Sequence, residues 1–267
     1  MRRTPAVADQ FYPGDAKTLT RILAELMPAG GRTQRAIAVV CPHAGYIYSG
    51  KVAGETIAQV EVPEDVVILG PNHHGMGAEV ALMTEGEWEM PLGTVPINTG
   101  LAKLVLAESA QIEADTTAHR FEHSLEVQVP FLQHQQPRLR LTPLVISHLA
   151  FATCQEVGLA LARAIRAYAK PVLMVASTDM THYESRASAS AKDKKAIERV
   201  LALDPAGLYN TVIGNRITMC GIMPTTIALI AAMALGATKA ELVRYTDSGE
   251  ASGDTDQVVG YAGFVVS

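Results

Sequence analysis

Cysteine is scarce in this sequence, with 3 in 267 residues. So small and odd a set does not make a disulfide framework in a chain of this length. The expectation is a reducing, cytoplasmic compartment. Positive charge is also in short supply. Aspartate and glutamate total 27 against 22 lysines and arginines, a net charge of −5. A nucleic-acid partner usually calls for a basic surplus, so none is expected. Long apolar runs are missing as well. The basic start Met1-Arg2-Arg3-Thr4-Pro5 is followed by Asp9, Gln10, Pro13, Gly14 and Asp15 where a signal peptide would be apolar. Ile217 to Thr238 carries no charge, but Pro224, Thr225 and Thr226 interrupt it. Its continuous part, Ile227 to Leu235, is too short to cross a bilayer and reads as a core helix. No membrane partner is expected. There is no internal repeat, no phosphate-binding GxxxxGK[ST], no CxxC, no HExxH and no GxSxG.

What is present is a chain that is 48% hydrophobic and 18% charged, enough for a large core. Short apolar runs of strand type lie at Ala36 to Cys41, Val66 to Leu69, Leu141 to Ile146 and Pro171 to Ala176. Weaker strands are read at Ala78 to Met83 and Gly93 to Ile97, and closing strands at Ala240 to Tyr245 and Val258 to Val266. Between them the spacing predicts helices over Leu19 to Met27 (closed by Pro28 to Gly31), Lys51 to Val60, Gly100 to Ser109 and Thr153 to Tyr168. Further helices are predicted over Ala187 to Leu203, Pro205 to Ile213 and Pro224 to Leu235. Strands alternating with helices imply an α/β fold, a single three-layer αβα domain over residues 1–267 with a mixed, largely parallel central sheet.

The 8 histidines carry the functional signal. Three predicted strands run directly into polar clusters: Pro42-His43-Ala44-Gly45-Tyr46, Gly70-Pro71-Asn72-His73-His74-Gly75 and Ser177-Thr178-Asp179-Met180-Thr181-His182. Ligands of open α/β sheets bind beyond the carboxyl ends of the strands. Parallel strands would therefore deliver His43, His73 or His74, and Asp179 with His182 to one crevice. Gly45, Gly70 and Gly75 are expected to permit close approach or unusual dihedrals. Two histidines and one anionic ligand suit a non-haem metal site with open positions. His123, in Glu122-His123-Ser124-Leu125-Glu126, is read either as a member of that site or as a surface helix start with both glutamates solvated.

Cys41 reads as a small buried hydrophobe, and Cys154 has no evident partner. Cys220 precedes a helix that has Pro224 in its first turn. A helix N-terminus favours the thiolate, which is also a metal ligand. The loop from Asp247 to Asp256 reads as a solvated turn in preference to a cation site.

With these segments assembled, the chain resembles the Memo family, which includes the microbial proteins called AmmeMemoRadiSam system protein B. The resemblance rests on Pro42 to Tyr46, Leu69 to His74, Glu122 to Glu126, Ser177 to His182 and Met219-Cys220-Gly221, and the opening Arg3 to Pro13 is also similar. It implies a fold like that of type III extradiol ring-cleaving dioxygenases. It implies metal positions at His43, His73 and Cys220, the cysteine standing where the dioxygenases have a glutamate. His182, with Asp179, takes the place of their acid–base histidine, and His123 joins the catalytic set. Fe(II) is the expected metal, followed by copper or zinc, because a thiolate softens the donor set. A redox enzyme acting on a small-molecule substrate is the leading expectation. An adaptor that binds a phosphotyrosine peptide in the same pocket and a metal-dependent hydrolase are the alternatives. AMMECR-type and radical-SAM proteins are the implied pathway companions.

Overall fold

A strand that is apolar at every position needs cover on both faces, and the computed structural model of the chain supplies it. The structure describes residues 1–28 and 33–267, so the predicted close of the first helix beyond Pro28 lies outside the described residues. In chain order the N-terminal half comprises β1 (Arg2–Arg3), α1 (Ala16–Leu26), β2 (Ala38–Cys41), α2 (Tyr46–Ile57), β3 (Asp65–Pro71), β4 (Val80–Leu82), β5 (Glu87–Trp88), β6 (Val95–Pro96), α3 (Thr99–Glu108) and β7 (Glu113–Ala114). After a 3-10 turn at Glu126–Gln128 come α4 (Val129–Gln135), β8 (Arg140–Ile146), α5 (Phe151–Tyr168), β9 (Val172–Ser177), β10 (His182–Glu184) and α6 (Arg186–Leu201). The chain ends with α7 (Pro205–Gly214), α8 (Ile222–Ala234), β11 (Ala240–Asp247), α9 (Gly249–Ser252) and β12 (Val258–Val266).

Among the described residues, nine strands form the main sheet, in the order β10-β12-β2-β9-β3-β8-β4-β7, with β11 on β12. Its centre, β2-β9-β3-β8, is parallel. β12 joins β2 antiparallel on one side, and β4 joins β8 antiparallel on the other. Side chains alternate across the sheet. Val39, Cys41, Val66, Ile68, Leu173 and Val175 pack with α1, α2 and α4. Val40, Val67, Leu69, Met174 and Ala176 pack with helices α3 and α5 to α8. Burial on both sides is why these strands read as unbroken apolar runs. Each fully buried large aliphatic side chain contributes about 1.5–3 kcal/mol. Helix α8 is uncharged and almost wholly buried against α5 and the sheet, which accounts for its membrane-like composition. Among the described residues, no helix is long and apolar enough to cross a membrane.

β1 and β5 had no local signal, whereas β6 lies within the strand expected at Gly93 to Ile97. β1, β5 and β6 make a separate three-stranded sheet in which Arg2–Arg3 runs parallel to Glu87–Trp88. That pairing turns Arg3 inward. Its guanidinium lies 4.2 Å from the Trp88 ring centroid and donates to Glu126 Oε2 (2.7 Å), His119 O (2.6 Å) and Glu122 O (2.6 Å). The Glu126 carboxylate also accepts from the N–H groups of Ala6 and Val7 and from the Tyr12 hydroxyl. An N-terminal arm is thus fastened to the segment that carries His123.

Candidate metal centre

Because β2, β9 and β3 are parallel neighbours, their carboxyl ends lie side by side. His43 follows β2, Asp179 follows β9 and His73 follows β3. The ligand atoms of His43, His73 and His123 all lie within 4.8 Å of one another. Their rings are packed accordingly. His73 stacks on His123 at 4.6 Å between centroids, and His43 meets them edge-on at 5.2 and 5.7 Å. Phe11, from the N-terminal arm, backs His123 edge-on at 4.9 Å.

Hydrogen bonds fix which imidazole nitrogen is free. Ser177 Oγ donates its single proton to Ser124 O (2.6 Å) and accepts from Gln128 Nε2 (2.9 Å), whose orientation is set by its other acceptor, Pro42 O. The 2.9 Å contact between His43 Nδ1 and Ser177 Oγ therefore has the ring as donor. That leaves His43 Nε2 with its lone pair. His73 Nδ1 likewise donates to Glu122 Oε1 (2.8 Å), leaving its Nε2 free. A carboxylate behind an imidazole is the usual support of a metal-ligating histidine. Burial lowers the pKa of His43 well below its ordinary value and lowers that of His123 to about 4, and the neighbouring His73 charge adds to both. Both rings are neutral at pH 7, as ligation requires.

Glu122 and Glu126 are buried, at 1% and 0% exposure, which overturns the solvated-surface reading of this turn. Burial alone would raise the Glu122 carboxyl. The His73 bond and charge and the N–H groups of Ser124 and His73 outweigh it and hold the group far below the carboxylate range. Glu122 was not anticipated as part of the site, and its only signal was a charge ahead of the apolar residues from Val127 to Leu132.

Cys220 stands beside the cluster, with Sγ 3.2 Å from His43 Nε2, and accepts from Asp179 N–H at 3.2 Å. Since that nitrogen carries the lone pair, the thiol is the donor. Burial, followed by the Asp179 charge, pushes the Cys220 pKa up, against the lowering expected from its place ahead of α8. Here desolvation outweighs the helix terminus. Gly221 is required at this junction, because a Cβ there would lie 2.2 Å from Ser177 O. A Cβ at Gly70 would fall 2.4 Å from Leu125 Cδ1 and 2.5 Å from Ser124 Oγ, so both buried side chains would have to shift to admit one. Gly75 has φ +61°, whereas Gly45 has an ordinary φ and ample room, contrary to its expected role.

Asp179 Oδ1 accepts the His43 N–H (2.7 Å), so the carboxylate orients a cluster residue and does not cap a helix. Burial raises its pKa to about 6. His182 Nδ1 donates to Thr218 O (2.9 Å) and its N–H to Thr218 Oγ1 (2.7 Å), so Nε2 is the nitrogen left for chemistry. His74 turns outward and bonds Phe121 O, which settles which of the adjacent histidines joins the cluster. His119 is buried at a distance and bonds Ala81 O. Cys41 is buried, and Cys154 is also buried, with its thiol on Met223 Sδ at 3.7 Å. In the Asp247 to Asp256 loop, Asp247 is buried and paired with Arg186, while Glu250 to Asp256 are exposed, as expected of a solvated turn.

These groups open on a cleft of about 500 Å³. Its walls include His43, His73, His123, Asp179 and His182. The three clustered imidazoles could hold a cation, and the cleft beside them, which His182 also lines, has room for a small molecule.

A family model described as Memo-like protein matches residues 3–265. A MEMO1 family protein of Methanopyrus kandleri is 42% identical over 99% of this chain and 99% of its own length. A MEMO1 family protein of Methanothermobacter thermautotrophicus is 42% identical over 98% of this chain and 99% of its own. A MEMO1 family protein of Aquifex aeolicus is 38% identical over 98% of each chain. Among solved structures, an uncharacterized protein of Escherichia coli K12 superposes with a TM-score of 0.58 at 16% identity, covering 85% of this chain and 99% of that one. That likeness concerns the fold alone.

Proposed function

This chain belongs to the Memo-like protein family, and we propose that it is a metal-dependent oxidoreductase acting on a small molecule in the cleft. His43 and His73 would hold the metal, with a third donor from His123 or Cys220. One observation carries the reading: two imidazoles are oriented from behind, by Ser177 and Glu122, so that their free nitrogens converge with His123. Fe(II) is the metal of first choice, because imidazole ligation with open positions suits non-haem iron, and the neighbouring thiol makes copper or zinc the next choices. Once bound, the metal supplies Lewis acidity and, for iron or copper, a one-electron couple.

The chain's own residues do the remaining work. Asp179 fixes the backbone of His43. His182, held by Thr218 through Nδ1, would accept or donate a substrate proton at Nε2. The exposed side of His73 gives the ligand its way in, while Phe11 shields His123.

The test is anaerobic purification followed by elemental analysis. An oxygen-uptake screen over catechols, thiols and other reductants comes next. Stoichiometric iron with uptake that is lost in His43→Ala supports the proposal. A chain that takes up no iron, copper or zinc would end it. Tight metal binding without turnover of any probe would end the oxidoreductase claim and leave a binding module.

A further inference from the structure

The far wall of the cleft has a composition that the metal cluster does not explain. In the sheet order β10-β12-β2-β9-β3, His73 belongs to the β3 end and Tyr183 to the β10 end. Tyr48, Tyr183, Tyr261 and Asp254 also line the cleft. Among the described residues, neither lysine nor arginine lines it. The formal charges that side chains bring to this space, apart from the histidines, are the carboxylates of Asp179 and Asp254.

The tyrosines surround one volume. Tyr261 is buried, and burial raises the pKa of its hydroxyl, with the nearby Asp179 carboxylate adding to the shift. Tyr48 and Tyr183 are exposed, Tyr183 by 73%. Tyr183 is held with φ 57°, a left-handed conformation that a bulky residue seldom adopts. It sits where the register between β10 and β12 shifts, between His182 and Glu184. Irregular pairing of this kind re-aims a side chain next to a functional site, and backbone strain is concentrated at ligand clamps. Burial in an apolar core does not account for it, since the residue is exposed, with its ring edge-on to His182 at 5.8 Å.

Aromatic faces attract cations through their quadrupole, the more so when the cation is partly desolvated. A carboxylate beside them adds charge complementarity. An anionic headgroup would find no lysine or arginine on this wall among the described residues. We propose that the Tyr48, Tyr183, Tyr261 and Asp254 wall is a recognition site for the ammonium group of a small amine ligand. The inference takes from the functional reading only that the cleft is the ligand site, and it does not depend on the metal. It sets the substrate class as cationic and opposes a phosphorylated ligand on this wall.

Calorimetric titration of metal-free protein, at pH 7 and low salt, tests it with three probes of similar size: phenethylamine, 2-phenylethanol and phenyl phosphate. The amine should bind about tenfold more tightly than the alcohol, and phenyl phosphate most weakly. Tyr183→Asn, which tolerates the left-handed backbone, and Asp254→Asn should each weaken the amine about three- to tenfold and leave the alcohol unchanged. Both positions are exposed, so neither variant disturbs the core. Equal binding of amine and alcohol, tightest binding of phenyl phosphate, or no binding of the amine would overturn the proposal. An amine preference in a protein that binds no metal would sink the oxidoreductase reading alone. Stoichiometric metal without an amine preference would sink this proposal alone.

Discussion

Glu126→Gln is the most informative single change for the architecture behind the cluster. The Glu126 side chain is fully buried, and the Arg3 that faces it is 4% exposed. Oε2 accepts from Arg3 Nη1 and Ala6 N–H; Oε1 accepts from Val7 N–H and the Tyr12 hydroxyl. Glutamine keeps the shape but turns one oxygen into a donor. It will settle with its NH2 toward Tyr12, because a hydroxyl can turn and accept whereas a guanidinium can only donate. Val7 N–H then loses its acceptor, at about 1–3 kcal/mol, and Arg3 is left as a buried charge with no counter-charge. Removing one partner of a buried ion pair costs about 3–5 kcal/mol, and this is the loss expected here. It is a large share of the roughly 5–15 kcal/mol that a folded domain holds. Urea unfolding followed through Trp88, which lies against Arg3 and is the sole tryptophan, measures it directly. Arg3→Met alone should also destabilise, and the double variant should lose less than the sum, by more than about 1 kcal/mol, because the two share one interaction. A loss below about 1 kcal/mol for Glu126→Gln, or strict additivity, would refute the reasoning.

Titration of Fe(II) and Cu(I) into His123→Ala and Cys220→Ala identifies the third donor: the true ligand should lose affinity for both metals, and the other variant should change it by less than about tenfold. His182→Ala should keep its metal content and reduce any turnover by about 10²–10⁴-fold, and metal loss in that variant would make His182 a ligand. Burial lowers the pKa of His119 to about 4, so the unfolded chain binds its proton first as pH falls. Stability from this group is complete above pH ~6.5 and declines toward pH 4, by at most about 1.4 kcal/mol per pH unit. Urea midpoints at pH 7 and pH 5 should converge in His119→Phe relative to wild type, and an unchanged acid slope would show that His119 does not carry it.

The core of the fold was legible because the central strands are buried on both faces. Val66 to Leu69 and Val172 to Ala176 announce themselves as apolar runs, and the polar residues that follow are brought together by parallel pairing alone. The turn from Glu122 to Glu126 was not legible. Its two carboxylates are buried only because His73 and the N-terminal arm reach them from 49 and 123 residues away. Nothing local distinguishes them from solvated glutamates. Cys220 failed in another way. Its place ahead of α8 was correctly read, but the sign of its pKa shift depends on desolvation and on Asp179, which only the packed structure reveals. Tyr183 gave no warning either, since a strained backbone angle leaves no mark in composition.

The interleaved strand order also sets a timetable for synthesis. His43 and His73 leave the ribosome early, yet β2 and β3 do not touch, because β9 lies between them. Until Ser177 has emerged, nothing holds the two imidazoles at a fixed spacing. The other edge of β2 stays bare until β12, more than 200 positions later, pairs with it. A nascent chain therefore offers passing cations only isolated, mobile histidines, with no chelate advantage. Pairing this distant in sequence is intrinsically slow, so the donor cluster is among the last features to assemble. A zinc finger condenses around its ion. A cation taken up by the His43, His73 and His123 cluster would instead enter a finished cleft, and it could be exchanged without unfolding the protein.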